Sequence, residues 1–154
     1  MAKAIPVDKA VVREVRDNCL CFATQKAARA LARRFDRIFA GLGITNGQYS
    51  MMMAVSGMGA PKALDLAGFL AMDQATVTAA LKKLSERKLV SVRKDKDDGR
   101  ARRVTLTAKG QALLAKAVPL WRAGHAAIEK ELPEGDPELL RRGLRHISLE
   151  LRPR

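Results

Sequence analysis

Apolar residues recur at helical spacing through the first forty positions, at Val11, Val15 and Phe22 and then at Leu31, Phe35, Ile38 and Leu42. That period predicts a long first helix ending at Gly41 and Gly43. Arg29, Arg33 and Arg37 fall on another of its faces. Thr45 with Gln48 three residues on predicts a capping box. It opens a helix through Tyr49, Met52, Met53 and Val55, which Gly57, Gly59 and Pro61 close. A short helix is predicted from about Ala63 to Leu70. Asp73 then reads as the N-cap of a helix to about Arg87, with Val77, Leu81 and Leu84 on its inward stripe and Lys88 in line with them. Two helices joined by the short Ala71-Met72 turn make a helix-turn-helix.

Val90 and Val92 alternate with Ser91 and Arg93, and Val104 and Leu106 with Arg103 and Thr105. Period two predicts half-buried strands. The charged stretch between them contains Asp98-Gly99, a turn dipeptide, so the pair reads as a hairpin with a long tip. Thr107 predicts the cap of a long helix through Leu113, Leu114, Ala117, Trp121, Ile128 and Leu132, with a kink or break expected at Pro119 and an end at Pro133. Asp136-Pro137 predicts the start of a last helix carrying Leu140, Leu144, Ile147 and Leu151. The fold class is therefore mainly α with a small β-hairpin wing, a winged helix-turn-helix domain flanked by terminal helices.

Charge changes the picture. The 154 residues hold 29 Lys and Arg against 16 Asp and Glu, a net +13. Residues 82–109 hold eleven basic and four acidic side chains, a net +7, directly after a nearly neutral stretch. The other +6 is spread over the remaining 126 residues, where arginines flanking the terminal helices read as framing an interface. Hydrophobic residues at 47% exclude a disordered chain, and aromatics at 4% argue against a base-stacking surface. The segment from Met1 to Asp17 is charged, unlike a signal peptide. The longest charge-free run, Ile38 to Pro61, carries five glycines and several polar residues, so it fails as a membrane helix. A soluble, cytoplasmic protein with no membrane partner is expected.

A basic hairpin behind a helix-turn-helix points to double-stranded DNA. A helix fits the major groove, where the outward residues of its first turns reach base edges. Gln74 can pair adenine, the Ala75 methyl can meet a thymine methyl, and Thr76 and Thr78 can bond bases or phosphates. Lys82 and Lys83, with Arg93 and Arg102 of the hairpin, suit phosphates, which position rather than specify. Arg100 at the tip suits the narrow minor groove, and Asp98 can hold its guanidinium. Taken singly, these residues equally describe a capped surface helix and a solvated turn; their conjunction favours DNA. A sequence-nonspecific architectural DNA-binding protein is the alternative. An enzyme has no paired-carboxylate, nucleophile–base or phosphate-loop motif behind it, and no cofactor or metal set is expected.

Ile44-Thr45 through Gln48-Tyr49, Asp73-Gln-Ala-Thr-Val-Thr, Leu89-Val90, and Asp98-Gly-Arg100 through Val104-Thr-Leu-Thr-Ala-Lys-Gly110 resemble the MarR (multiple antibiotic resistance regulator) family. The likeness covers about residues 15–150. It implies a homodimer with one winged helix per subunit. It also implies a transcriptional regulator, usually a repressor, that leaves a palindromic, inverted-repeat operator when a small molecule or oxidant acts on it. Apolar stripes on both terminal helices, more than one small core can bury, agree with a dimer. The expected organisation is residues 1–44 as an N-terminal dimerisation helix, 45–110 as the DNA-binding domain (recognition helix about 73–87, wing about 89–107), and 111–154 as C-terminal dimerisation helices. Gly99 stands where many members carry Arg, and Ala71 where many helix-turn-helices carry Gly.

Leu20-Cys21-Phe22 is similar to the reactive-cysteine segment of the family's hydroperoxide-sensing branch, but Phe35 and Asn46 stand where that branch has tyrosines. Cys19 and Cys21 are thus candidate redox sensors or small core residues. On one helix they would point about 200° apart, which disfavours a bridge between them. His125 and His146 read as surface or interface residues. For a small-molecule effector of unstated identity, Phe35, Phe39, Tyr49, Met52 and Met53 are the candidate lining, at a spacing that equally fits ordinary core.

Overall fold

A computed structural model describes residues 7–95, 102–132 and 136–149. The candidates Asp98, Gly99 and Arg100, and the predicted stop Pro133 and apolar Leu151, lie outside these residues. The chain begins with α1 (Lys9–Asn18) and α2 (Leu20–Phe39), followed by a 3-10 turn (Ala40–Leu42) and by α3 (Asn46–Met58), α4 (Ala63–Leu70) and α5 (Gln74–Glu86). Strands β1 (Val90–Lys94) and β2 (Arg102–Leu106) then precede α6 (Ala108–Glu131) and α7 (Pro137–Leu149).

The predicted caps form. Thr45 and Gln48 satisfy each other's backbone N–H at the start of α3. Asp73 accepts both the backbone N–H of Thr76, at 2.8 Å, and its hydroxyl, at 2.6 Å. Thr107 accepts the Gly110 N–H at 3.0 Å while its hydroxyl donates to the Lys88 carbonyl, tying the start of α6 to the end of α5. Asp136 accepts the N–H of Glu138. Ala71 holds the helix-turn-helix turn in a left-handed conformation, φ 51°, which costs a residue bearing a Cβ about 1 kcal/mol.

Two expectations are corrected. The first helix is two helices, because Cys19 adopts an extended conformation between them and its Sγ accepts the Phe22 N–H as the N-cap of α2. The long helix runs unbroken through Pro119. Proline removes the N–H that would reach the Ala115 carbonyl, but both residues are exposed, so water can take its place.

One core joins the elements. Phe35 and Phe39 of α2, Met51, Met52 and Val55 of α3, Leu66 of α4, Val77, Leu81 and Leu84 of α5, Val104 of β2 and Leu114 of α6 are all buried in it. The strands pair antiparallel, Val92 opposite Val104. A bridge between Lys62 and Arg103, with the Val104 N–H donating to the Pro61 carbonyl, ties β2 to the entry of α4. By contrast no residue of α1 is buried, and α7 exposes Leu139, Leu140, Leu144 and Ile147. Among the described residues no helix is long and apolar enough to cross a membrane.

Gly110 shows how tightly α6 sits on the hairpin: a Cβ built there would stand 2.1 Å from the Leu89 carbonyl oxygen. Gly110→Ala should therefore cost about 3 kcal/mol or more, since backbone must move. Gly57→Ala, in open space on α3, should be neutral or stabilising by about 0.5–1 kcal/mol; chemical denaturation of the pair checks the contrast. Hydrogen bonds from Thr76, side chain first and then backbone, hold the Asp73 carboxyl below the usual aspartate range. A depressed pKa contributes stability above the unfolded value, lost as pH falls through the folded one. Asp73→Ala should accordingly lower the melting temperature at pH 7, and the gap from wild type should close as pH drops below about 4.

Candidate nucleic-acid interface

Burial of Val77, Leu81 and Leu84 turns the other side of α5 to solvent, so Gln74, Ala75, Thr76, Thr78, Lys82 and Lys83 are all exposed. Two of these groups are partly committed. The Thr76 hydroxyl proton goes to Asp73, and that of Thr78 to the Gln74 carbonyl at 2.8 Å. Each oxygen is left as an acceptor toward an outside partner. The Gln74 amide makes no hydrogen bond to any described residue and keeps its full donor and acceptor set.

Between α5, the entry of α4 and the hairpin lies a groove of about 830 Å³. Gln74, Thr78 and Lys82 form one wall, Val92, Arg102 and Val104 another, and Lys62 and Leu64 the end. Sequence reasoning missed Lys62. Its only local signal is a lysine at the start of α4, and the Lys62–Arg103 bridge is what carries it to the groove.

The hairpin is electrostatically one-sided. Arg93 pairs with Arg103 and Lys94 with Arg102, two successive like-charge cross-strand pairs. Such pairs repel. Arg103 is compensated: its guanidinium binds Asp95, whose side chain is 4% exposed, and donates to the Ala60 carbonyl at 3.2 Å. Arg93, Lys94 and Arg102 have no acidic partner among the described residues. Strand alternation puts Arg102 on the groove face with Val92 and Val104, and Arg93 on the opposite face with Arg103 and Asp95. The two hairpin arginines predicted to act together thus point to different sides.

The effector candidates divide. Phe35, Phe39, Tyr49 and Met52 are buried in the core, with the Phe39 and Tyr49 rings 4.7 Å apart, whereas Met53 is exposed. Tyr49 and Met53 border an apolar groove of about 420 Å³ between α3 and α4, with Met58, Phe69 and Leu70. Burial pushes the Tyr49 phenol up from its ordinary range, and Arg122 pulls against it. Cys19 is half-buried at the α1–α2 junction and Cys21 is exposed in the first turn of α2, so the geometry expected for two thiols on one helix does not hold. His125 stacks between Phe35 and Trp121, at 4.7 and 4.6 Å, and its burial lowers its pKa. Among the described residues no three His, Cys, Asp or Glu side chains gather as metal ligands.

Residues 44–101 match the model of the MarR family. The transcriptional regulator MosR of M. tuberculosis, solved in complex with DNA, is 34% identical, with a TM-score of 0.78 over 86% of this chain and 96% of that one. BpsR of Bordetella bronchiseptica, solved to explain how 6-hydroxynicotinic acid regulates its DNA binding, is 25% identical, with a TM-score of 0.77 over 93% and 97%. A mutant of E. coli MarR complexed with operator DNA shares the fold at 19% identity, with a TM-score of 0.78 over 86% and 96%. Comparison with curated proteins gave no match. Likeness to MosR over nearly its whole length, on a helix-turn-helix with a basic hairpin, places this chain in the MarR family of transcriptional regulators.

Proposed function

We propose that the protein is a homodimeric repressor that binds an inverted-repeat DNA operator and leaves it when a small organic molecule binds. The groove carries the reading. It brings the base-reading candidates Gln74 and Thr78 beside the cations Lys62, Lys82 and Arg102, next to a hairpin whose like charges an anionic backbone would relieve. Gln74, Ala75, Thr76 and Thr78 are assigned to base edges, Lys82, Lys83 and Arg102 to phosphates along the groove, and Arg93 to a phosphate on the hairpin's other face. Arg100, steadied by Asp98, is assigned to the minor groove on the sequence alone. MosR in complex with DNA supports the assignment.

Dimerisation is supported by apolar faces that no described residue of the chain covers: Val11, Val12 and Val15 on α1, and Leu140, Leu144 and Ile147 on α7. Faces of this kind mark interfaces, and a two-fold dimer sets its recognition helices about one DNA turn apart. The effector is assigned to the groove by Tyr49 and Met53, which is apolar with one phenol at its edge. The regulation of BpsR by 6-hydroxynicotinic acid supports a ligand of that size. The exposure of Cys21 favours cysteine oxidation as a second route to release.

Operator binding should survive excess competitor DNA; equal affinity for any duplex would instead support an architectural role. Titration of operator and mismatched duplexes should show Gln74→Ala relaxing base preference by ~1–3 kcal/mol at one position. Lys82→Ala should weaken all sequences alike and reduce the salt slope by about 0.9 per subunit. Leu144→Glu with Ile147→Glu should halve the mass in sedimentation equilibrium and abolish tight operator binding. A dimer that persists with full affinity moves the interface elsewhere.

A further inference from the structure

Apart from the +7 of residues 82–109, the helix with the largest net positive charge is α2. Residues 20–39 hold five basic side chains against Asp36, a net +4, which leaves +2 for all the rest. Four of the five form one row. Lys26, Arg29, Arg33 and Arg37 follow at steps of three, four and four residues, so their side chains stack about 6 Å apart along one line of the helix. Arg33 and Arg37 each stand two residues, about 200°, from the buried Phe35, and Arg37 stands likewise from the buried Phe39. The row is therefore the pole of α2 that points away from the core.

All four side chains are exposed. Arg29 bonds only Gln25, and Lys26, Arg33 and Arg37 have no side-chain partner among the described residues. Arg34, the basic residue off the row, does have one: Glu131 takes its guanidinium with both carboxylate oxygens. Asp36, the single acid of the helix, accepts the Asn46 N–H instead. Like charges one helical turn apart weaken a helix, and here one pair at i and i+3 and two at i and i+4 are left unneutralised. No large apolar side chain interrupts the row between Lys26 and Arg37, so it lacks the anchors on which protein partners dock. Evenly spaced cations without anchors suit a polyanion whose charges are evenly spaced, as the phosphates of duplex DNA are.

We infer that the α2 row is a second, sequence-independent binding surface for duplex DNA, taking a segment other than the one on α5. α3 packs against both α2 and α5 and stands between them, so the two basic surfaces leave the common core separately. Of the exposed apolar side chains of α2, Leu20 and Leu31 lie on the Phe35 side and Phe22 lies in line with the row one turn before Lys26, so a second copy of the chain would find no large apolar side chain to meet between Lys26 and Arg37. The protein would then bridge two stretches of DNA, holding one by sequence and the other by charge.

The test loads the full-length protein onto an immobilised duplex, operator in one arm and random sequence in the other, then adds a labelled random duplex several turns long. Wild type should capture the second duplex. The triple variant Arg29→Ala, Arg33→Ala, Arg37→Ala should keep its operator affinity and footprint and melt no lower, because alanine favours helix and the repulsion is gone. Its capture should fall on the order of tenfold, with the salt slope of capture smaller by about 2.7 per subunit. No capture by wild type in either arm, or equal capture by the variant, overturns the inference. A drop in operator affinity and slope instead would put the row on the operator duplex and overturn the second-segment assignment. The operator reading fails separately, by equal loading of the two arms.

Discussion

Everything on the polar side of α5 depends on how firmly its apolar stripe is held. Val77 and Leu84 are fully buried and Leu81 nearly so, against α3, α4 and β1. Their spacing fixes the helix's rotation about its own axis, and so decides that Gln74, Thr78 and Lys82 face outward together. Asp73 fixes where the helix starts, and Ala71 and Lys88, both left-handed, fix how the chain enters and leaves it. A groove reader needs this rigidity: a helix free to roll by one residue would show another set of side chains to the bases.

The hairpin meets a harder demand, since it must carry uncompensated charge and still hold its angle to α5. The buried Asp95 helps resolve this by neutralising Arg103, on the face turned from the groove, while Arg103 also grips the Ala60 carbonyl. The Pro61 carbonyl and the Lys62 bridge add backbone ties beside it. Losing Arg103 would be costly because the Asp95 carboxylate it answers is buried. Asp95 and Arg103 thus serve geometry, and Lys94 and Arg102 stay available on the other face.

Most of the fold was legible because its signals are local. The Thr45–Gln48, Asp73, Thr107 and Asp136 caps are contacts within two or three residues, and α4 and the strands fall where the periodicity puts them. The break at Cys19 was hidden because cysteine is an uncommon N-cap, and the continuity at Pro119 because solvent can replace the missing hydrogen bond. The site was half legible. The exposed positions of α5 follow from its buried stripe, but Lys62 reaches the groove only through a pairing some forty residues away in sequence. For the same reason the separation of Arg93 from Arg102 needed the strand register. Phe35, Phe39 and Met52 looked the same as core or as pocket lining, because helical spacing cannot tell a filled interior from a hollow one.

The way charge is paired separates structural from outward-facing basic residues. Three arginines in structural roles are each answered by an acid: Arg34 with Glu131 across α2 and α6, Arg141 with Glu129 across α7 and α6, and Arg103 with Asp95 within the hairpin; Arg87 joins the end of α5 to α3 through the neutral Gln48. Lys82 and Lys83 on α5, Lys94 and Arg102 on the hairpin, and the α2 row have no acid set against them among the described residues. Exposed pairs contribute little to stability, so leaving these groups unpaired costs the fold little. It does keep the potential strong over the surfaces that carry them. Positive charge is thus withheld from internal pairing on α5 and its hairpin and on the outer pole of α2, and those are the surfaces where a polyanion would be drawn in.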